Sequence, residues 1–453
     1  MKFTQILDQV AEAVPTYRRL IFSTIVVGLL TGKGRGTVAG IFREFSGLMA
    51  GTVVTRKRFY MFLNSKLINW TRIWARVADM VRDHGAVAGR LLVALDDTTY
   101  GKSGRKIDGC DTHFDHSSKM NVSRWLFGHC RVVAGLLTQC HGRWACLPMA
   151  QQNFVRLKEP VKKEKIHEGL QRKTVRRRKR ERRDRWKNTK CGIAAALVNG
   201  LRRLFHLPVL VVCDSWFGNH ALLKALRQAG GLPDVNILSR LRVSCVLHQL
   251  PPVAPGKRGR PRTYGKRLPK LEELAAGHRN RARTARIHVY GRMRACTFSE
   301  MIGVSKALKC VVKVVFIHRS NDRFFPLVTT DLDLTAEQMV EFYSARWKIE
   351  SGFKELKHEV GAIDSQCRKA DAVENHFNIC CLAMTLAWIY AIKQEKAPDR
   401  RHPKPGSTAF AFADIRRKLA AELGQAPHFQ WGCPETVKRA AKLMRAAIFG
   451  RAA

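Results

Sequence analysis

Acidic residues are scarce in this 453-residue chain, which carries 36 Asp and Glu against 81 Lys and Arg. The resulting formal charge of +45 far exceeds what solubility requires and indicates an anionic partner such as nucleic acid. The sequence also lacks any CxxC pair, and its 13 cysteines are odd in number. Both facts argue against a disulfide framework and a ribbon-type zinc site, so we expect buried, reduced thiols.

Long apolar runs are missing as well, because no stretch reaches the roughly 20 apolar residues that a membrane-spanning helix needs. The runs at 21–30 and 379–392 predict core helices instead. The first residues do not lead into the basic and apolar segments of a secretion signal, so we expect a cytoplasmic protein without a membrane partner. With 45% hydrophobic residues, the chain has room for about two or three folded domains.

The first 88 residues are predicted to be helical, because apolar residues recur at helical spacing, for example at Ile6, Val10 and Val14. A basic helical region of this size is typical of a DNA-end-binding domain or of a structural helix bundle, and spacing alone leaves both open. The chain beyond residue 395 is predicted to be helical too. It is a candidate for dimerisation, DNA contact or core packing.

Between these regions the pattern changes to short apolar runs, which predict neighbouring strands at 91–95, 130–137, 145–149 and 207–213. A helix predicted at 219–229 follows the last strand, so the two form a βα unit. Further β-branched runs predict a β-rich insertion at 236–335 with a basic Pro/Gly loop, before helices resume. The predicted fold class is therefore α/β with helical regions at both ends.

Two of the predicted strands end in a carboxylate, the first in Asp96-Asp97 and the strand at 207–213 in Asp214. The carboxyl ends of strands are where open α/β sheets place their functional sites. Successive strand residues face opposite sides of a sheet, so Asp96 and Asp97 are not expected to point into one site together. One of them is therefore a bystander, and alternation alone does not say which.

A third carboxylate lies on a helix predicted to follow Thr335. At about 100° per residue, the side chains of Tyr343, Arg346, Glu350 and Lys357 fall within an arc of about 60°, beside a separate apolar stripe. Such a face is either a set of ion pairs within the helix or a functional surface. Ion pairs on one helix would not explain the strand-end aspartates, which favours the functional surface.

The spacing of these four residues, Tyr-x2-Arg-x3-Glu-x6-Lys, resembles the signature of the insertion sequence 4 group of bacterial transposases in the DDE superfamily. The stretch Asp97-Thr98-Thr99 and the stretch from Val212 to Gly218 resemble the first and second aspartate motifs of that superfamily. The resemblance covers roughly residues 90–390.

This resemblance implies an RNase H-like catalytic core that the β-rich insertion interrupts. It also implies that Asp97, Asp214 and Glu350 ligate two Mg²⁺ or Mn²⁺ ions, which prefer oxygen ligands. Asp97 is chosen over Asp96 on the family's Asp-Thr pattern. The two ions would activate water or a 3′-hydroxyl and stabilise the leaving oxygen during attack on a phosphodiester.

A transposase of this group would bind the terminal inverted repeats of an insertion sequence, excise the element and join it to target DNA. Pairing two ends implies a homodimer on double-stranded DNA, and the protein would be associated with the bacterial nucleoid. Tyr343, Arg346 and Lys357 would bind the phosphates of this DNA. The predicted domains are a helical DNA-end-binding domain at 1–88, the first part of the core at 89–235, the insertion at 236–335, the second part of the core at 336–394 and a C-terminal helical region at 395–453.

Two basic segments are further candidates for DNA contact. The stretch 171–190 is dominated by Arg and Lys, and in so basic a chain this favours DNA backbone contact over a solvated helix face. Arg258, Arg260 and Arg262 form an Arg-Gly-Arg-Pro-Arg strip similar to an AT-hook, which lies in the narrow minor groove of A·T-rich DNA. The alternative for this strip is a flexible, solvated loop.

Two other functions compete with transposition. One is a DDE-fold nuclease, or a domesticated DNA-binding protein that no longer moves DNA. The other is a non-catalytic RNA-binding or architectural protein, which the charge alone allows. The last alternative predicts that Asp97, Asp214 and Glu350 lie far apart, since a two-metal site needs ions about 4 Å from each other.

Overall fold

A computed structural model describes residues 1–32, 34–46, 54–82, 89–115, 123–156, 186–252, 262–319, 323–402 and 410–425. These residues form a mixed α/β fold around one sheet, as the sequence predicts for the fold class. Most of the basic stretch at 171–190, two of the three AT-hook arginines (Arg258 and Arg260) and most of the C-terminal region lie outside the described residues. The twelve cysteines in the described part are all free.

The N-terminal region consists of helices packed on the rest of the chain. They are α1 Phe3–Ala11, α2 Thr16–Thr31, α3 Val38–Glu44, α4 Arg56–Leu63 and α5 Trp70–Arg82. The middle of α2, residues 20–30, is buried throughout, because its apolar residues cover every side of the helix and not one stripe. Trp70 donates its indole N–H to Asn375 at 2.7 Å, which connects α5 to the C-terminal half of the chain.

Six strands form the part of the sheet that carries the predicted aspartates: β1 Leu91–Gly101, β2 Asp111–Phe114, β3 Trp125–Cys140, β4 Arg143–Phe154, β5 Val209–Cys213 and β6 Val235–Arg240. β3 pairs antiparallel with β1 on one side and with β4 and β2 on the other. β1, β5 and β6 run parallel to one another. The parallel strands read as continuous apolar runs, since both faces of the sheet are covered there.

The range predicted as an insertion contains α8 Leu271–His278, a short 3₁₀ helix at Arg279–Arg281 and strands β7 Leu247–His248, β8 Arg283–Val289, β9 Arg292–Ser305, β10 Cys310–His318 and β11 Phe324–Thr329. β11 pairs antiparallel with β6, and β10 and β9 follow outward. These strands therefore continue the same sheet. The predicted domain boundary at 235/236 falls inside β6.

Helices cover both faces of the sheet. They are α6 Lys190–Phe205, α7 His220–Arg227, α9 Ala336–His358, α10 Ala370–Ile392 and α11 Phe412–Gln425. Asp96 contacts Arg346 of α9, and Tyr100, on the same face of β1, stacks on Phe377 of α10. Asp97, the residue after Asp96 in β1, contacts Lys190 of α6. Because adjacent strand residues face opposite ways, α9 and α10 lie on one face and α6 on the other.

One helix of the described residues, α10, is long and apolar enough by composition to cross a membrane. Its most apolar window has a mean hydropathy of 1.3, and 89% of that window is buried inside the protein. Its neighbours are β4, β3 and α2. The central helix of a packed domain is buried in this way, so α10 is a core helix.

Candidate active site

The middle of β1 and the residue that follows β5 bring two aspartates side by side. In this parallel pair Leu95 lies opposite Cys213, and the next residue on each strand is an aspartate, Asp96 and Asp214. Residues opposite each other in paired strands point to the same face. Asp96 and Asp214 therefore lie on the same face, next to the carboxyl end of β5, and carboxyl ends of strands are where open α/β sheets place their sites.

Helix α9 brings a third carboxylate to this face. It begins at a capping box in which Thr335 accepts a hydrogen bond from the backbone N–H of Gln338, whose side chain accepts one from Thr335 in return. Three turns further on, Arg346 donates to Asp96 Oδ2 at 3.0 Å and to Glu350 Oε1 at 2.6 Å. One buried guanidinium thus links the strand carboxylate to the helix carboxylate.

Asp97 lies on the opposite face of β1. Its Oδ2 accepts a hydrogen bond from Lys190 Nζ at 2.8 Å and from Cys130 Sγ at 3.4 Å. The Lys190 ammonium also lies 5.7 Å from the ring centroids of Phe154 and Trp216. Of the two adjacent aspartates, the structure directs Asp97 toward Lys190 and Asp96 toward Arg346 on the α9 face.

The electrostatics of Asp96 support a cluster of like charges. Burial raises the pKa of Asp96 to about 7, Arg346 opposes this rise, and the nearby Asp214 and Asp97 add to it. A carboxylate that is buried and repelled by a second carboxylate favours either a proton or a cation. Burial alone would lower the pKa of Arg346, but Tyr343, Asp96 and Glu350 together raise it, so the arginine stays charged.

The loop after β5 holds Asp214 in place. Asp214 Oδ1 accepts the backbone N–H groups of Trp216 and Phe217, each at 3.0 Å. Gly218 follows, and a Cβ at this position would lie 2.2 Å from Ser239 Oγ of β6, so only glycine allows the loop to pack this closely. Trp216 is about half exposed beside Asp214. These contacts fix one oxygen of Asp214, and no hydrogen bond within the described part uses its Oδ2.

The residues predicted to grip DNA make internal contacts in the structure. The ring centroid of Tyr343 lies 5.5 Å from the Arg346 guanidinium, and burial raises the pKa of Tyr343 to about 12. Lys357 Nζ donates to the carbonyl of Thr99 at 2.9 Å. Both side chains are partly buried, whereas Arg262 is exposed. Arg346 and Lys357 thus contact β1 directly, whereas Tyr343 packs on Phe325 of β11.

The donor set suits a hard divalent cation, because Asp96, Asp214 and Glu350 offer only oxygen ligands. Among the described residues, however, no three Asp, Glu, His or Cys side chains are close enough together to hold an ion. Arg346 occupies one oxygen of Asp96 and one of Glu350. The residues thus fit Mg²⁺ or Mn²⁺ chemically, and the guanidinium would compete with an ion for the two carboxylates that it contacts.

Comparisons with known proteins identify the family. No curated protein matches the chain. A solved structure, the piggyBac transposase synaptic complex with hairpin DNA, is 12% identical over 96% of this chain and 76% of that chain, with a TM-score of 0.38, which is too low to establish a shared fold. The family model described as DDE superfamily endonuclease matches residues 9–297, more than half of the chain, including both strand-end aspartate positions. The chain therefore belongs to the DDE superfamily endonuclease family.

Proposed function

We propose that this protein is a transposase, a metal-dependent DNA endonuclease and strand transferase that binds the terminal inverted repeats of an insertion sequence and moves it by cut-and-paste. The observation that carries the proposal is the alignment of Asp96 with Asp214 on one face of the sheet, opposite the α9 helix that bears Glu350. Membership of the family supports endonuclease activity, and the charge of +45 supports DNA as the substrate.

An RNase H-like core is part of this proposal. It is supported by the sheet order β4-β3-β1-β5-β6, in which an antiparallel half joins a parallel half at β1. Two neighbouring strands of this order carry the carboxylates: Asp96 lies in the middle of β1, and Asp214 directly follows β5. The match of the Tyr343, Arg346, Glu350 and Lys357 spacing supports assignment to the insertion sequence 4 group, and these side chains share one face of α9.

Asp96, Asp214 and Glu350 would hold the two Mg²⁺ or Mn²⁺ ions, with Asp96 in place of the Asp97 that sequence resemblance favours. When bound, the ions would supply an activated water or 3′-hydroxyl and a stabilised leaving oxygen. Arg346 keeps the carboxylates of β1 and α9 within reach of one guanidinium, so they are already oriented toward each other. We assign Asp97 to a structural pair with Lys190.

The DNA contacts follow from the same arrangement. Tyr343, Arg346 and Lys357 lie beside the carboxylates, so they are proposed to contact phosphates next to the scissile bond once DNA is bound. The basic strip with Arg262 is proposed to lie in a minor groove. Because two transposon ends must be joined in one event, we propose a homodimer in the DNA-bound state and a cytoplasmic location at the nucleoid.

A supercoiled plasmid that carries the gene with its flanking DNA tests the enzymatic proposal. We expect the purified chain to nick or excise from this plasmid in Mg²⁺ or Mn²⁺, and a Glu350→Gln variant to lose that activity. Glu337→Gln is the matched control, because Glu337 is on the same helix and pairs with an arginine, Arg283, away from the aspartates. Equal cleavage by the wild type and Glu350→Gln would refute the proposal.

A DNA-binding protein that has lost catalysis is the second candidate, and the Arg346 bridge is the observation that favours it. A guanidinium that stays bound to one oxygen of Asp96 and one of Glu350 would compete with metal ions for these carboxylates. Titration with Mn²⁺ in the presence of a DNA duplex separates the two candidates. A transposase is expected to bind about two ions per chain, with loss of both in Asp214→Asn, whereas the non-catalytic candidate binds none at this site.

A further inference from the structure

A polar cleft of about 620 Å³ lies at the far end of β1, where three loops meet. The loops are the N-terminal loop before α3, the loop after β1 and the loop between α9 and α10. Residues from all three line the cleft, together with one side chain from α4, and they include Arg35, Tyr60, Lys102, Ser103, Asp364 and Arg368. We call this feature the loop cleft. None of these residues belongs to the carboxylate face described above.

Hydrogen bonds between side chains and backbone groups, and a close approach of two glycines, hold the loop cleft in one shape. The N–H of Gly36 donates to Asp364 Oδ2 at 2.9 Å, and its carbonyl accepts from His376 Nε2 at 3.2 Å. Gly361 lies against Gly36 with φ +80°, and a Cβ on it would lie 2.8 Å from the Gly36 Cα, so both positions require glycine. Lys102 Nζ donates to the carbonyls of Ile363 and Ser365, each at 2.7 Å. The three loops are therefore fastened together before any ligand arrives.

The charge of the loop cleft is positive. Arg35, Lys102 and Arg368 line it together with a single carboxylate, Asp364, and that carboxylate is engaged by the Gly36 N–H. Arg35 and Arg368 are exposed, and neither forms an ion pair within the described part of the chain. A neighbouring cleft shares Arg35 and adds Arg43 and one carboxylate, Glu44. Free guanidinium groups on a rigid polar surface are suited to phosphate oxygens, which they bind in bidentate fashion.

We propose that the loop cleft binds the sugar-phosphate backbone of duplex DNA at a distance from the carboxylate face. Lys102 lies six residues beyond Asp96 along β1, which corresponds to about 20 Å at about 3.3 Å per strand residue. That distance matches about six base pairs at about 3.4 Å each. The loop cleft thus contacts the duplex about half a turn from the carboxylates and fixes its direction across the sheet. The inference rests on the proposed function in that its ligand is DNA.

The salt dependence of DNA binding tests this proposal. We would measure the affinity of a Glu350→Gln chain for a random-sequence duplex of about 30 base pairs at several salt concentrations between about 50 and 200 mM, where backbone contacts dominate. We take the slope as the absolute value of the change in log K with log salt, and each lost phosphate contact lowers it by about 0.9. Adding Arg35→Ala and Arg368→Ala is therefore expected to lower the slope by about 2 and to weaken binding about tenfold or more.

Two further variants make the result specific. Arg203→Ala with Lys224→Ala removes the same charge from exposed positions on α6 and α7, and it is expected to leave the slope unchanged. Arg35→Lys with Arg368→Lys keeps the charge and is expected to keep most of the slope, which a purely structural role of the arginines would not predict. An unchanged slope in the Arg35 and Arg368 alanine variant, or an equal fall in the control, overturns the proposal. This experiment measures DNA binding and not DNA cleavage. A result that overturns the loop cleft proposal is therefore distinguishable from a lack of nuclease activity.

Discussion

Asp96→Asn is expected to reduce metal-dependent DNA cleavage by about a thousandfold or more, whereas Asp97→Asn is expected to stay within about tenfold of the wild type. Asp96 shares a face with Asp214 and with the Arg346–Glu350 pair, while Asp97 points to Lys190 on the other side of the sheet. Loss of a metal ligand removes several kcal/mol of transition-state stabilisation, and about 4 kcal/mol corresponds to roughly a thousandfold in rate.

The two asparagine variants are closely matched controls for each other, because they make the same change at adjacent residues of one strand. Single-turnover nicking of the plasmid substrate measures the rate, and thermal unfolding checks that both variants fold. Asp97→Asn weakens a partly exposed ion pair with Lys190, so a small loss of stability is expected there. If Asp97→Asn abolishes cleavage and Asp96→Asn does not, the assignment from the Asp-Thr motif is right and the one from strand geometry is wrong.

Acidification from pH 7.5 to pH 4 is expected to remove the contribution of the neutral His376 to the free energy of unfolding. Burial lowers the pKa of His376 from 6.5 to about 4, although its hydrogen bond to Gly36 opposes this shift. Between these two values the unfolded chain binds a proton that the folded chain does not, so stability falls as pH falls through this window and levels off below about 4. At about 1.36 kcal/mol per pH unit the contribution of His376 is about 3 kcal/mol.

Denaturant unfolding at pH 7.5 and at pH 4 measures this contribution. We expect His376→Asn, which keeps a side-chain donor for Gly36, to reduce the difference in unfolding free energy between the two pH values by about 3 kcal/mol. The exposed His358→Asn is the control and should change that difference little. The acids Asp96 and Glu355, whose pKa values are raised to about 7, change stability with pH in the opposite direction. Their contribution is the same in variant and wild type, so it cancels when the two are compared. A His376 variant with the wild-type pH dependence would contradict the prediction.

The sequence predicts the α/β fold class because the class depends on the local pattern of apolar and polar residues. The apolar runs that begin at Leu91 and at Val209 are long enough to fill buried strands, and β1 and β5 form there. The choice between Asp96 and Asp97 depends on register and on which face a distant helix covers, neither of which alternation encodes. Aligning the ends of the two apolar runs, Leu95 with Cys213, was the available signal, and it places Asp96 beside Asp214.

Other features of the site were inaccessible because they join residues far apart in sequence. The spacing of Arg346 and Glu350 predicts their shared helix face, but the second bond of Arg346, to Asp96, spans 250 residues. In the sequence Lys190 is one member of a basic run, and only the packing of α6 on β1 identifies it as the partner of Asp97. The loop cleft likewise joins three loops that no periodic pattern marks.

The guanidinium between Asp96 and Glu350 has a consequence for the order in which the protein matures. Two neighbouring carboxylates without a counter-ion would oppose folding, and many metal sites form only when the metal supplies that charge. Here the chain carries its own cation on α9, one turn from the glutamate. The polypeptide can therefore balance these charges in its folded state without an ion, and under the proposed function metal loading would follow folding.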